Sequence, residues 1–411
     1  MVKNTKAKKL QSIIEIVRRF SRIQDLDVLF EHILTEARKI VNADAGSVYF
    51  VVGNHLHIKY AQNDTVAKRT ADGKIPYTYF SFPIDDKSMS GYVALTGKEL
   101  NIEDAYKIPS DLPYSFNSGT DMVTDYRTRS VYTIPLKAST GKVIGVLQMI
   151  NAQDENSQVI PFGRDAKLYL SQFVSSAAQV LEHTSLSDEM IRRMLLMASF
   201  RDPKETYRHV ERVSRFSVEI YDRWAQNHSV PPTERVHFRD NLRIAAKFHD
   251  IGKIGIPDMI LKKTYPRLEV DERSIIMGHT CLGAKLFVKG TTETDKMSYE
   301  VTLHHHERWD GGESAYPGQV NLDDFVIGKP IPPAKHLKGK KIPLAARIVA
   351  VADVFDALSH KRSYKEAWSV EDAIEEIKKS SGSHFDPEVV DAFLQVQDRI
   401  LSIYRLHPDE D

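Results

Sequence analysis

A helical pattern running from about Asp165 to Ala198 restricts the fold of this chain more than any other feature. Leu168, Leu170, Phe173, Val174, Ala177, Val180 and Leu181 form its apolar positions, and Met190, Ile191, Met194 and Leu195 continue them. A helix this long leaving a small domain usually serves as a connector, often paired with its twin in a dimer. Two ordinary helices broken near His183 to Ser187 are the alternative. The sequence differs in kind on the two sides of this segment.

Before it, Leu10 to Val41 reads as two amphipathic helices, with Ile13, Ile14 and Val17 in one and Leu29, Phe30, Ile33, Leu34, Ala37 and Ile40 in the other. Ala45 to Val52 then turns to strand composition, with a partner strand at Leu56 to Tyr60 across Gly53-Asn54. Further strands are expected at Tyr79 to Ile84, Val131 to Leu136 and Val143 to Ile150, the last two joined by the turn Ser139 to Lys142. Helices, strands, a mixed middle and a long closing helix make an α+β, sensor-like layout. Beyond Ser199 the chain reads as helical to its end, interrupted by a polar, Gly/Pro-rich insert from Asp310 to Pro343. The 411 residues suit two domains, or three at most.

Composition removes several classes. Lys plus Arg (56) equals Asp plus Glu (56), which argues against a dedicated DNA or RNA binder and against a basic membrane-surface protein. The lone cysteine, Cys281, excludes an intrachain disulfide framework and any multi-cysteine metal site. No apolar run reaches the roughly 18–20 residues of a membrane span. The basic stretch Met1 to Lys9 is followed by an amphipathic segment rather than a leader's apolar region. A soluble, cytoplasmic protein is expected.

Chemistry concentrates in the histidines. Eight of the sixteen lie between His209 and His306, and six of them (His209, His249, His279, His304, His305 and His306) carry the argument, several beside carboxylates. His249-Asp250 sets an imidazole next to a carboxylate able to bridge two metals, although such a doublet alone is more often incidental. Glu205 and His209, four apart, share one helix face. His279 lies in an expected helix from Ser274 to Val288, and His305-His306 are about 100° apart round a helix. Asp353 stands in the apolar run Ile348 to Phe355, where burial penalises a carboxylate unless something positive meets it. Imidazoles and carboxylates without thiolates suit iron, manganese or zinc better than calcium or magnesium. Each residue singly reads as well as a satisfied core polar group; the whole set does not.

Glu205-x3-His209, then His249-Asp250-Ile-Gly-Lys253, then His279, then His305-His306-Glu307-Arg308-Trp309-Asp310-Gly311, then Asp353-Val-Phe-Asp356-Ala-Leu resemble the HD-GYP family, metal-dependent HD phosphohydrolases that cleave cyclic di-GMP. The likeness covers about residues 186–405 and implies an all-α HD-type helical bundle. Residues 10–183 resemble a GAF-like sensory domain, through element order and the run Ser90 to Lys98. The connector, residues 165–198, overlaps both.

The resemblance implies metal ligands at His209, His249, Asp250, His279, His305, His306 and Asp353, with Asp250 bridging. Glu205 occupies a position that serves a third metal in some members, so two or three transition-metal ions, iron or manganese first, are expected. Lys253 is expected to reach the scissile phosphate and, with Asp250, to form the catalytic pair; Tyr316, Arg362 and Lys365 are expected to hold substrate. The implied reaction is attack of metal-activated water on a phosphodiester, giving pGpG and, in a roomy site, GMP.

The chain departs from the family at the motif that names it. Asp310-Gly-Gly-Glu-Ser-Ala315-Tyr316-Pro317 is two residues longer than the usual Asp-Gly-x-Gly-Tyr-Pro, with Ala315 where glycine is usual. Glycine would serve a positive φ or a close backbone approach there. A non-catalytic cyclic-dinucleotide sensor and an HD hydrolase of another nucleotide are therefore the rival readings. The GAF-like part is expected to bind a small molecule or simply to dimerise, with Tyr106 to Arg129 as a lid or an ordinary surface loop.

Overall fold

A computed structural model of the chain describes residues 2–20, 23, 25–69, 80–202, 206–263, 268–360 and 368–406. Glu205, Arg362 and Lys365 lie outside the described residues. The chain forms two compact units, residues 1–188 and 189–411.

The N-terminal unit opens with α1 (Val2–Phe20) and α2 (Leu26–Val41). Asp25 caps α2 by accepting Val28 N–H at 3.0 Å, and Asn42, at φ 51°, ends it. The sheet strands are β1 (Ala43–Val52), β2 (His55–Asn63) and β3 (Ser81–Pro83), followed by α3 (Met89–Thr96), β4 (Leu100–Ile102), β5 (Val131–Lys137), β6 (Val143–Gln153) and β7 (Val159–Ile160). Their order is β3-β2-β1-β6-β5-β4, every pair antiparallel, with β7 beside β6. This is an α+β sheet domain, as the alternating strands imply.

Alternation sorts the side chains onto two faces. Val48, Tyr132, Leu147 and Met149 meet Leu29, Ile33, Leu34 and Ala37 of α2. Gly46 makes room for this contact, because a Cβ there would stand 2.8 Å from Met149 Cε and 2.9 Å from Gln148 O. Tyr49, Leu56 and Val146 pack instead with Val93 of α3. The stretch Tyr106 to Arg129 is pinned from within: buried Asp121 accepts Tyr106 Oη (2.9 Å), Thr128 N (2.7 Å) and Thr128 Oγ1 (2.8 Å).

One helix, α4 (Arg164–Arg201), runs through the long helical pattern without a break at His183 to Ser187. Its Leu170, Phe173, Ala177 and Leu181 belong to the core of the first unit.

The second unit is helical: α5 (Tyr207–Asn227), α6 (Pro232–Ala245), α7 (Val270–Met277), α8 (His279–Lys285), α9 (Glu293–His304), α10 (Leu344–Ser359), α11 (Val370–Lys379), α12 (Pro387–Gln395) and α13 (Gln397–Leu406). Helix α10 is apolar nearly all round, with Ile348, Val349, Val351, Ala352 and Phe355 fully buried, so it forms the centre of the bundle. Phe216 and Ile220 of α5, Leu242 of α6 and Val389 and Phe393 of α12 close around it. The insert after Asp310 carries only the 3-10 turns Leu322–Asp324 and Gly339–Lys341.

Two local expectations change. The single helix expected from Ser274 to Val288 is two, α7 and α8, with Gly278 between them, so His279 opens a helix rather than sitting within one. Helix α9 ends at His304, so His305 caps it and His306 lies beyond it. The 100° helical spacing assumed for that pair does not apply. Among the described residues no helix is long and apolar enough to cross a membrane.

Candidate metal centre

Four chain segments converge on α10. His209 sits in the first turn of α5, where Thr206 Oγ1 accepts its backbone N–H at 3.1 Å. His249 ends the 3-10 turn Ala246–Phe248 that continues α6, and Asp250 leads directly into a second turn, Ile251–Gly255. Gly252 in that turn touches α8: a Cβ would fall 1.9 Å from His279 O and 2.5 Å from Gly283 N. Any side chain there would push Asp250 away from His279, which gives the glycine of the His-Asp-Ile-Gly run its physical reason. His305 and His306 arrive from the end of α9, and Asp353 projects from α10.

The side chains form two groups whose ligand atoms lie within 4.8 Å of one another: Asp250, His279, His305 and His306 in one, and His209, His249 and Asp353 in the other. Asp250 stands between them. Its Oδ1 lies 2.9 Å from His279 Nε2 and 3.6 Å from His305 Nε2, while its Oδ2 lies 3.4 Å from His249 Nε2. Asp353 Oδ1 lies 3.6 Å from His209 Nε2 and 3.8 Å from His249 Nε2. One carboxylate thus offers an oxygen to each group, the placement a bridging ligand needs.

Ring orientation decides which nitrogen faces inward. His249, His279 and His305 direct Nδ1 to the carbonyls of Ala246 (2.9 Å), Ile276 (2.8 Å) and Val301 (3.0 Å). A carbonyl only accepts, so Nδ1 carries the proton and Nε2 keeps its lone pair. Those three Nε2 atoms and Asp250 Oδ1 are buried without a hydrogen-bond partner, an arrangement that is costly unless something else meets them. Burial pushes His305 below its ordinary range and His306 well below it, which keeps both rings neutral donors. Burial would raise Asp250, but Lys253, His249 and His279 outweigh it and hold the carboxyl well below the usual range. Imidazoles and carboxylates with no thiolate form a donor set for a transition metal.

Residues 205–389 match the family described as an HD domain, and residues 25–181 match the GAF domain. The chain carries a GAF domain followed by an HD domain. It is 36% identical over 230 residues to a cyclic di-GMP phosphodiesterase of Thermotoga maritima, covering 56% of this chain and 55% of that protein. A 3'3'-cGAMP-specific phosphodiesterase 2 of Vibrio cholerae is 34% identical over 206 residues (50% and 34% covered), and a cyclic di-GMP phosphodiesterase of Vibrio cholerae is 31% identical over 286 (68% and 52%). The chain therefore spans between a third and just over half of the length of these relatives.

Within the HD domain, Lys253 is placed otherwise than a phosphate-binding role alone requires: its Nζ lies 2.7 Å from Asp250 Oδ2. Tyr316 stacks on His306, ring centroids 4.7 Å apart at 27°. Burial and the neighbouring Asp250 push its phenol up, so the hydroxyl remains a donor. Ala315 does not need glycine's backbone freedom. Its backbone is not in the left-handed region and its side chain is buried at 4 % exposure; the positive φ values fall on Gly311 (67°) and Gly318 (77°) instead.

Three further residues were not singled out from sequence. Asp356 accepts His209 Nδ1 at 2.7 Å, and Arg212 holds Asp356 from behind. Glu307 is buried and accepts Gly318 N at 2.7 Å and Leu337 N at 3.3 Å, which ties down both ends of the insert. Asp356 had a signal available: it is a second carboxylate one turn beyond Asp353 on the same apolar helix.

Proposed function

We propose that the HD domain hydrolyses a cyclic dinucleotide, cyclic di-GMP first, with two or three transition-metal ions held by His209, His249, Asp250, His279, His305, His306, Asp353 and Glu205. Iron or manganese suits the donor set best. The observation that carries this reading is the position of Asp250, one oxygen toward each group of histidines. Ions bound there would supply a Lewis acid for the phosphoryl oxygens and a water of lowered pKa. The chain's own part is to hold the Nε2 atoms of His209, His249, His279 and His305 inward, to keep Asp250 ionised and to exclude bulk water by burial. As the water oxygen bonds to phosphorus the ester P–O bond breaks, giving linear pGpG; a second cut gives GMP. Lys253 stands beside the centre to meet negative charge developing on the phosphoryl group, and Tyr316 offers a ring face and a hydroxyl to the ligand. Arg362 and Lys365 complete the substrate contacts on the family resemblance alone.

The GAF domain regulates this activity in our reading, in response to a small molecule, within a parallel homodimer along α4. Leu186, Met190, Met194, Met197 and Phe200 are exposed on that helix and supply an apolar stripe for the pairing. On this reading the protein is cytoplasmic.

The names of the relatives favour one refinement. Both cyclic di-GMP and 3'3'-cGAMP occur among them at similar identity, so the mixed dinucleotide is the first competitor substrate. Turnover is to be assayed with Mn(II) or Fe(II) against a panel of cyclic dinucleotides, with products separated by chromatography. Cleavage of a cyclic dinucleotide supports the reading. Tight binding without product would make the domain a sensor, and cleavage of other nucleotides alone would make it a different HD hydrolase.

A further inference from the structure

His209 is held differently from the other oriented imidazoles. His249, His279 and His305 rest Nδ1 on neutral backbone carbonyls of their own segments. His209 rests Nδ1 on a side chain 147 positions away, Asp356 Oδ2, at 2.7 Å. Asp356 is 1 % exposed, and Arg212, also 1 % exposed, clamps it with Nε on Oδ1 at 2.6 Å and Nη2 on Oδ2 at 2.9 Å. His360 Nδ1 adds a third approach, 3.3 Å from Asp356 Oδ1, with its ring 4.5 Å from that of Tyr404.

The geometry has a definite chemical result. An ionised carboxylate only accepts, so the His209 proton stays on Nδ1 and the Nε2 lone pair points toward Asp353. The planar Arg212 fork fixes the carboxylate in two directions, which a single donor would not do. Asp353 and Asp356 also stand one turn apart on α10, so one helix sets both the carboxylate of this group and the orientation of its histidine.

We propose that Asp356, locked by Arg212, is a positioning residue for the His209/His249/Asp353 half of the centre: it fixes the His209 tautomer and thereby selects for an ion in that half. This rests on the metal reading above and predicts a selective defect. The group of Asp250, His279, His305 and His306 does not use the pair and should keep its ion.

The test uses the full chain as wild type, Asp356→Asn and Arg212→Lys. In metal-free protein, long-range nitrogen–proton NMR of the histidine rings reads the tautomer directly. The wild type should show His209 protonated at Nδ1, and Asp356→Asn, whose amide can also donate, should show a mixture or the Nε2–H form. In Mn(II) titrations the variant should lose about 10–100-fold in affinity for one ion, the usual cost of a lost outer partner, while the other ion binds as in wild type. Arg212→Lys keeps the charge but not the fork, and should give a milder shift in the same direction; it decides the matter if Asp356→Asn does not fold. An unchanged tautomer with unchanged ion affinities would overturn the proposal and leave Asp356–Arg212 as a structural ion pair. Equal loss of both ions would overturn it too, as a general collapse of the site. A wild type that binds no ion would defeat the metal reading instead, and the tautomer measurement would still judge the role of Asp356.

Discussion

Lys253 Nζ lies 2.7 Å from Asp250 Oδ2, the same oxygen that faces His249 Nε2 at 3.4 Å. The lysine therefore supplies positive charge to the carboxylate proposed above as the bridging ligand. On that reading an ion bound there would compete with the ammonium for one oxygen, and the exchange would leave Lys253 able to turn toward a phosphate.

That competition is measurable. In metal-free protein Lys253→Met leaves Asp250 short of a charged partner and should cost about 1.5–3 kcal/mol of stability. Added Mn(II) supplies the missing charge, so the thermal upshift on metal addition should be larger in the variant than in wild type. Equal upshifts in the two proteins would show that Lys253 does not compete at the centre. Turnover by metal-loaded Lys253→Met should still fall, because the charge meant for the phosphoryl group is gone.

Asp250→Ala removes the one carboxylate that, among the described residues, places an oxygen near each group. We expect no turnover and reduced metal content by elemental analysis, with helical circular dichroism largely intact. A defect of only about 10–100-fold, the size typical of an outer partner, would demote Asp250 from bridging ligand.

The residues that gather in the two groups were legible because they sit in short local patterns, but the reason their side chains face one another was not. The Nδ1 atoms of His249, His279 and His305 end on backbone carbonyls, which every residue has and no sequence marks. Asp356 and Arg212 meet only once α5 and α10 are packed. The local geometry also misled: Gly278 splits one expected helix in two, and α9 stops at His304, so helical spacing could not place His279, His305 or His306. The strands of the GAF domain were easier, since β1, β5 and β6 are short runs of strand composition bounded by turn residues.

On α5, two residues beyond His209, Glu211 is buried with Lys247 Nζ at 3.0 Å and Arg215 Nε at 2.8 Å. Burial alone would raise its carboxyl, but Lys247, Arg215 and Arg243 outweigh that and hold it at about 2. A folded-state value below the unfolded one stabilises fully above the unfolded pKa and is lost as pH falls toward about 2. Glu211→Gln should therefore cost roughly 3 kcal/mol near neutrality. The gap between wild type and variant, measured by denaturant unfolding, should narrow by more than half from pH 6 to pH 3. A gap that stays constant across that range would mean that the charge of Glu211 contributes nothing.

The last prediction concerns α4. In the second unit, Leu195 of this helix is 4 % exposed and packs with Val210, Ile244 and Phe248; Val210 adjoins His209 and Phe248 adjoins His249 in sequence. Arg201, its final residue, donates to Ile256 O at 2.9 Å and pairs with Asp258 at 3.1 Å, just past the turn that carries Lys253. A shift of α4 along its axis would thus reach the backbone beside two proposed ligands and beside the turn that carries Lys253. A signal of this kind carries about 1–3 kcal/mol, or 5–150-fold, so a GAF ligand should modulate turnover rather than switch it. The comparison is between the full chain and a truncated chain beginning near Leu186, with oligomeric state read by light scattering and rates read across a ligand screen. Met190→Glu with Met197→Glu should separate a dimer of the full chain and remove any ligand response. If both chains are monomeric and turn over substrate at the same rate under every ligand, α4 is a passive tether.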